Sequence, residues 1–185
     1  MILIPITHEK HHVSINIKYA TSDNFTGKPI YSRPGCYLRK EAETLLVRAI
    51  RLAKVQGWHF LIFDAFRPSE AQFKLWQHSP NPDFLANPSI GSPHSRGIAV
   101  DLTLVDTATN KPLDMGTNFD TFSEASFHGS TKISSEAQEN RYRLLGIMTS
   151  AGWDCYLNEW WHYQLFDSRS YEILPDSDLR ESMMS

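Results

Sequence analysis

The sequence predicts one globular domain that mixes helices with a sheet, and three observations carry that expectation. Trp58-His59-Phe60-Leu61-Ile62-Phe63 is a nearly continuous apolar run, as expected of a central strand buried on both faces. Two stretches, Arg39 to Gln56 and Ser135 to Ala151, carry their apolar residues at helical spacing. A chain of 185 residues, 41% hydrophobic and 21% charged, is long enough for one core and short enough to need only one.

The elements follow in order. Val13, Ile15, Ile17 and Tyr19 alternate with polar residues, which predicts a half-buried strand with Tyr19 on its apolar face. Ser22 to Pro29 is rich in turn formers and reads as a loop. Leu45, Leu46, Ala49, Ile50 and Ala53 form the apolar side of the first long helix, with Gly57 placed to end it and the sheet beneath it. After the 58–63 strand, Ser69-Glu70-Ala71-Gln72 matches a capping box and predicts a helix running to Gln77. Residues 78–92 hold Pro80, Pro82, Pro88 and Gly91 without a period, and read as a long surface loop. A strand carrying Asp101 comes next, then a turn at Thr107 to Asn110 and an irregular segment from Leu113. A second capping box, Ser135-Glu136-Ala137-Gln138, opens a helix with Leu144, Leu145, Ile147, Met148 and Ala151 inward and Gly152 at its end. Tyr163 to Phe166 completes a last strand, and the tail after Pro175 is expected to fray.

Composition narrows the partners. Net charge is -3 and the 18 basic residues are scattered, so nucleic acid is not an expected partner. Met1 to Ile6 is apolar but lacks a basic lead and breaks at Pro5; it reads as neither signal peptide nor membrane span. Cys36 and Cys155 lie far apart and outside any CxxC pair, so reduced, buried thiols and a cytoplasmic location are expected. The assembly stays open between monomer and homodimer.

The chemistry concentrates in two stretches. Ser92-Pro93-His94-Ser95-Arg96-Gly97-Ile98-Ala99-Val100-Asp101 sets an imidazole and a carboxylate on either side of a turn-permissive glycine. Glu159-Trp160-Trp161-His162 offers a second histidine with a carboxylate three residues before it. Zinc takes imidazole and carboxylate ligands at roughly 2.0–2.2 Å, and a catalytic site keeps a fourth position for water. His94, Asp101 and His162 supply three such ligands. Glu159 then serves as general base to a water whose pKa the metal lowers from about 15.7 to near 7, or as a fourth ligand closing a structural site. Trp160 and Trp161 would exclude solvent and raise the pKa of Glu159, and equally fit an aromatic core. Arg67, at a strand-to-helix junction, is the candidate donor to an oxyanion beside the metal, although a surface ion pair is the usual fate of an arginine. His8, His11 and His12 are expected in a solvated, mobile segment, and His59 as a satisfied core histidine. His78 and His128 carry no assignment.

At these residues the sequence resembles the D-alanyl-D-alanine dipeptidases of the vancomycin-resistance type, within the zinc D,D-peptidase superfamily. The matching elements are Ser92-x-His94-x-x-Gly97-x-Ala99-x-Asp101, Glu159-x-x-His162, Phe66-Arg67-Pro68, and Asp114-Met115-Gly116 with Phe119-Asp120. Tyr19-Ala20-Thr21-x-Asp23-Asn24-Phe25-Thr26-Gly27 adds the N-terminal segment of the dipeptidases. The resemblance implies a compact α+β fold over residues 1–185, with a largely antiparallel central sheet flanked by helices and one Zn2+ in a small cleft. It also implies hydrolysis of a small D,D-dipeptide, with Glu159 and Arg67 catalytic. Tyr19, Ser92 and Asp120 would line the pocket, and Asp120 suits the substrate ammonium because a buried cation needs a carboxylate partner. Two rivals stand beside it: a D,D-carboxypeptidase or endolysin-like peptidase acting on longer peptidoglycan stems, and a non-catalytic zinc-binding module.

Overall fold

The computed structural model describes residues 3–185, and strands and helices intermingle along the whole chain. In order these are β1 (Leu3–Pro5), α1 (His8–His11), β2 (Ser14–Ile15), β3 (Tyr37–Arg39), α2 (Lys40–Val55), β4 (Trp58–Asp64) and α3 (Ser69–His78). Then come β5 (Ala99–Asp106), β6 (Lys111–Pro112), α4 (Ser135–Ala151), β7 (Asp154–Cys155) and β8 (His162–Gln164). The main sheet has the order β2-β4-β5-β8-β7, with β6 on the far end of β5. Among the described residues only β2 against β4 is parallel; the other pairs are antiparallel, so the expected α+β fold with a largely antiparallel sheet is what forms.

β5 is the hub. Ala99 to Val105 are all buried, because β4 and β8 flank it and other elements cover both of its faces. α2 buries Ala42, Leu46, Ala49 and Ala53 against β4 and α4, as its period predicted. Gly57 follows at φ 81, a left-handed conformation that lets its N–H bond the Lys54 carbonyl and end the helix. α4 ends at Gly152 in the same way.

Several sequence expectations are corrected. The alternation at 13–19 gives only the two-residue β2, and Ile15 is exposed, because the chain turns at Lys18–Ala20 into a 3-10 turn that swings Tyr19 inward. α3 exists but without the capping box. Pro68 holds the cap position, the Ser69 N–H bonds the Leu174 carbonyl, and Gln72 points into the interior. α4 is capped one residue earlier than read, by Ser134, whose Oγ accepts from the Ala137 N–H at 3.1 Å. The last strand begins at His162 and stops at Gln164, leaving Phe166 exposed.

The tail after Pro175 is not frayed. Met183 is buried against Gly35 and Tyr37, its carbonyl accepts from the Ser32 and Arg33 N–H groups, and Asp176 Oδ1 accepts from its own N–H. Nor is the histidine-rich lead mobile: Thr7 caps α1, and His11 is buried with Nε2 3.3 Å from Glu43 Oε1. Of the apolar lead, Met1 and Ile2 lie outside the described residues, while Leu3–Pro5 pair with β3. Both cysteines are free, Cys36 buried and Cys155 half-buried. Among the described residues no helix is long and apolar enough to cross a membrane.

Candidate active site

Two neighbouring strands and one turn bring the distant motifs together. In the antiparallel register of β5 and β8, Asp101 lies directly opposite His162. Directly opposed residues in such a pair carry their side chains on the same face, so both enter one cavity. His94 arrives from the 3-10 turn His94–Arg96, which Gly97 ends at φ 70. A Cβ on Gly97 would stand 2.5 Å from Leu3 Cδ2, so the left-handed turn and the close packing both require glycine there. Ser92 Oγ accepts from the His94 N–H at 3.2 Å and steadies the same turn.

The three donor atoms converge. His94 Nε2 is 3.2 Å and His162 Nδ1 3.1 Å from Asp101 Oδ1, and the two ring nitrogens are 3.0 Å apart. All three residues are buried. The outward nitrogens are held by acceptors: His94 Nδ1–H donates to the Ala65 carbonyl at 2.6 Å, and His162 Nε2–H donates to Gln164 Oε1 at 3.0 Å. Each imidazole therefore turns a lone pair towards Asp101, which is the tautomer a metal ligand needs. Burial alone would raise the Asp101 carboxyl; when the imidazoles are protonated, their charge and N–H groups hold it well below the usual carboxylate range, and a cation bound among neutral rings would favour the same ionised form. Two neutral imidazoles and one ionised carboxylate suit a divalent transition metal and leave a coordination position open.

Glu159 sits just outside this cluster, its Oε2 3.9 Å from His162 Nδ1. It lies on a tight turn in which its N–H bonds the Tyr156 carbonyl and its carbonyl accepts from the His162 N–H. Burial pushes its carboxyl up to about 8, against the opposing pull of His162. A cation bound at the neighbouring donors would favour its ionised form.

Arg67 is interior rather than a surface ion-pair arginine. Its Nε donates to Asp64 Oδ2 and its Nη1 to Gln72 Oε1, each at 2.9 Å, and its guanidinium lies 4.8 Å from the centre of the Tyr19 ring. Asp64 also accepts from Tyr31 OH at 2.9 Å. Across the cavity, Asp120 Oδ1 accepts from Tyr19 OH at 3.0 Å, and its Oδ2 takes a longer bond from the Phe25 N–H. Burial raises the Asp120 carboxyl to about 7, with Arg67 opposing the shift. All eight residues singled out from the sequence (Tyr19, Arg67, Ser92, His94, Asp101, Asp120, Glu159 and His162) line one cavity of ≈ 200 Å³.

The sequence reading missed the parts that hold these groups. Asp64 and Gln72 orient Arg67, Gln164 orients His162, and Arg141 pins the irregular segment that carries Asp120. Arg141 does so by donating to the carbonyls of Met115, Ala125 and Phe127. Within residues 78–92, read as a long surface loop, Pro82, Phe84, Leu85 and Ala86 supply a roof. Phe84 stacks on Phe122, and Tyr156 OH donates to the Asp83 carbonyl at 2.8 Å. The signal for Asp64 and Gln72 was their spacing from Arg67, three residues before it and five after. The other histidines stay outside: His59 is half-buried with Nε2 3.3 Å from Ser14 Oγ, and His128 packs edge-on against Tyr163.

Comparison with known proteins agrees with this geometry. The M15 peptidase family model described as D-ala-D-ala dipeptidase matches residues 3–176. The D-alanyl-D-alanine dipeptidase of Escherichia coli (strain K12) is 43% identical over 164 residues, covering 89% of this chain and 84% of that protein. The D-alanyl-D-alanine dipeptidase of Enterococcus faecium is 38% identical over 177 residues, 85% of this chain and 88% of its own length. That of Enterococcus faecalis (strain ATCC 700802 / V583) is 35% identical, over 90% and 91%. With a family match across nearly its whole length and a buried His-Asp-His cluster at the centre, the chain belongs to the D-ala-D-ala dipeptidase family of M15 peptidases.

Proposed function

We propose that residues 1–185 act as one zinc D,D-dipeptidase domain that hydrolyses D-Ala-D-Ala to two molecules of D-alanine. The observation that carries this reading is a small cavity with three convergent potential metal donors on one wall, a second carboxylate just outside that cluster, and a cation and an anion facing in from the rest. His94, Asp101 and His162 would hold one Zn2+. When bound, Zn2+ supplies Lewis acidity, polarising the scissile carbonyl and lowering the pKa of water from 15.7 to about 7.

The rest is the work of the chain. Glu159 takes a proton from the attacking water as its oxygen joins the carbonyl carbon. It delivers that proton to the leaving nitrogen as the C–N bond breaks, releasing one amine and one carboxylate. Arg67, held by Asp64 and Gln72, donates to the oxygen on which negative charge develops. Asp120, steadied by Tyr19, pairs with the substrate ammonium, and Ser92 lines the floor beside His94. Trp161 and the aromatic roof exclude bulk water. We assign the cytoplasm, where both thiols would stay reduced.

The test is release of D-alanine from free D-Ala-D-Ala by the zinc-loaded protein, with N-acetyl-D-Ala-D-Ala in parallel. Cleavage of the free dipeptide alone is expected, since the acetyl group removes the ammonium that Asp120 pairs. Equal or faster cleavage of the blocked substrate would replace this reading with a carboxypeptidase. Cleavage of neither would favour a non-catalytic zinc module.

A further inference from the structure

We propose that Gln72 is a positioning residue that joins the Arg67 guanidinium to the roof of the cavity, so that one side chain sets both the aim of Arg67 and the seating of residues 79–91. The inference rests on the reading of Arg67 as donor to the developing oxyanion.

Gln72 lies in the first turn of α3 and is 1% exposed. Its two amide atoms point to different parts of the site. Oε1 accepts from Arg67 Nη1 at 2.9 Å, and Nε2 donates to the Ala86 carbonyl at 2.7 Å. Gln72 itself lies behind the wall, whereas Arg67, Leu85 and Ala86 line the cavity. An apolar side chain of the same volume would pack there but would leave a guanidinium N–H and a backbone carbonyl without their partners. A carboxylate could serve the arginine but not the carbonyl, and an amine the reverse. Of the side chains of this length, only an amide offers one donor and one acceptor at its tip.

The geometry of Arg67 explains why this matters. Nε is held by Asp64 and Nη1 by Gln72, while Nη2 stands 3.6 Å from Asp101 Oδ2, beyond hydrogen-bond distance. The two bound nitrogens fix the plane of the guanidinium, and the remaining N–H groups are left for the cavity. A roof displaced from the Gln72 amide would free the amide to rotate and Arg67 Nη1 to follow. Both bonds are made in the structure, so the seated roof and the cradle of Arg67 hold each other in place.

The experiment compares Gln72→Met, Arg67→Ala and the double variant on D-Ala-D-Ala, with zinc content and melting temperature measured for each. Methionine matches the length of glutamine and removes both bonds. Gln72→Met is expected to lower kcat about 10–100-fold and raise KM, at unchanged zinc content. Added to Arg67→Ala, it should leave kcat where Arg67→Ala alone put it, because a residue acting through another has nothing left to act on. A kcat within twofold of the parent for Gln72→Met, or losses that multiply in the double variant, would overturn the inference. If Arg67→Ala itself kept full activity, the reading of Arg67 would fail instead, which the single variant reveals. Should Gln72→Met not fold, Gln72→Glu keeps the contact to Arg67 and sets a carboxylate against the Ala86 carbonyl. In that variant KM is expected to rise by a larger factor than kcat falls, and an unchanged KM would overturn the tie to the roof.

Discussion

The floor of the cavity and its roof are built by different means. On the floor, Asp101 and His162 face each other because β5 and β8 are in register, and His94 follows from a turn five residues before β5. Regular backbone hydrogen bonding sets their spacing, and a one-residue slip would turn Asp101 or His162 away from the cavity. The roof and the side wall that carries Asp120 have no such ladder. Residues 79–91 and 113–127 are irregular, and single side chains hold them: Gln72 on the Ala86 carbonyl, Tyr156 on the Asp83 carbonyl, and Arg141 on three carbonyls of the Asp120 segment. The floor holds its donors on paired strands and the turn beside them, whereas the roof and side wall, which on the proposed reading shape the space for substrate, lie on segments that single substitutions can loosen. Chemistry and selection should therefore separate under mutation.

The sharpest test of that separation is Glu159→Ala. Removing a general base should lower kcat by about 10²–10⁴-fold. Zinc content and folding should be unchanged, since the three donors and the acceptors behind His94 and His162 remain. Loss of zinc in that variant would make Glu159 a ligand and the site structural, and the distinction between floor and roof would lose its catalytic meaning.

Asp120→Asn probes the other side. Replacing the partner of a buried ammonium should lower kcat/KM for the free dipeptide by about 10–100-fold, mostly through KM. The pH behaviour gives a second readout. Burial raises the Asp120 carboxyl to about 7, while the unfolded chain ionises near the ordinary value of about 4. Between those two values the folded state binds the proton that the unfolded state has lost, so this group makes stability fall as pH rises from about 4 to about 7. If Asp120 pairs with the substrate ammonium as proposed, its ionised form is the one that binds, and kcat/KM should fall as pH drops below about 7. Melting temperatures at pH 5 and pH 8 should therefore differ less for Asp120→Asn than for the parent, and the acid limb of the activity profile should flatten. An unchanged acid limb would assign it to another group.

The floor was legible in the sequence for the same reason that it is rigid. A histidine and a turn glycine lead into a strand that carries the aspartate, and Glu159-x-x-His162 leads in the same way into the partner strand that begins at His162. The long periodic helices were legible too, because burial of one face is written into their spacing. What stayed hidden depends on tertiary contacts. Tyr19 read as the end of a strand, but its place is set by the hydroxyl bond to Asp120, one hundred and one residues away. Gln72 read as part of a helix cap because its local pattern fits one, while an arginine and a loop carbonyl claim its amide. Residues 78–92 read as surface because prolines and polar residues dominate them, and only the folded chain shows Leu85 and Phe84 turned inward over the cavity.

The C-terminal tail offers the smallest expected effect on activity and a way to test whether the floor needs outside support. Its first part leans on the turn that carries His94: the Leu174 N–H bonds the Ser95 carbonyl, and Arg96 donates to the carbonyls of Tyr171 and Ile90. Its end is anchored elsewhere, by Met183 in the hollow beside Gly35 and Tyr37. A Cβ on Gly35 would stand 2.9 Å from Met183 Sδ, so the fit is close and a shortened side chain leaves a void. Met183→Ala should therefore cost about 2–5 kcal/mol of stability in denaturant unfolding. If register alone secures the floor, kcat and zinc content should stay at parental values. A loss of zinc on that remote truncation would mean that the turn bearing His94 depends on the tail as well as on β5, and that the metal wall is less self-sufficient than its strands suggest.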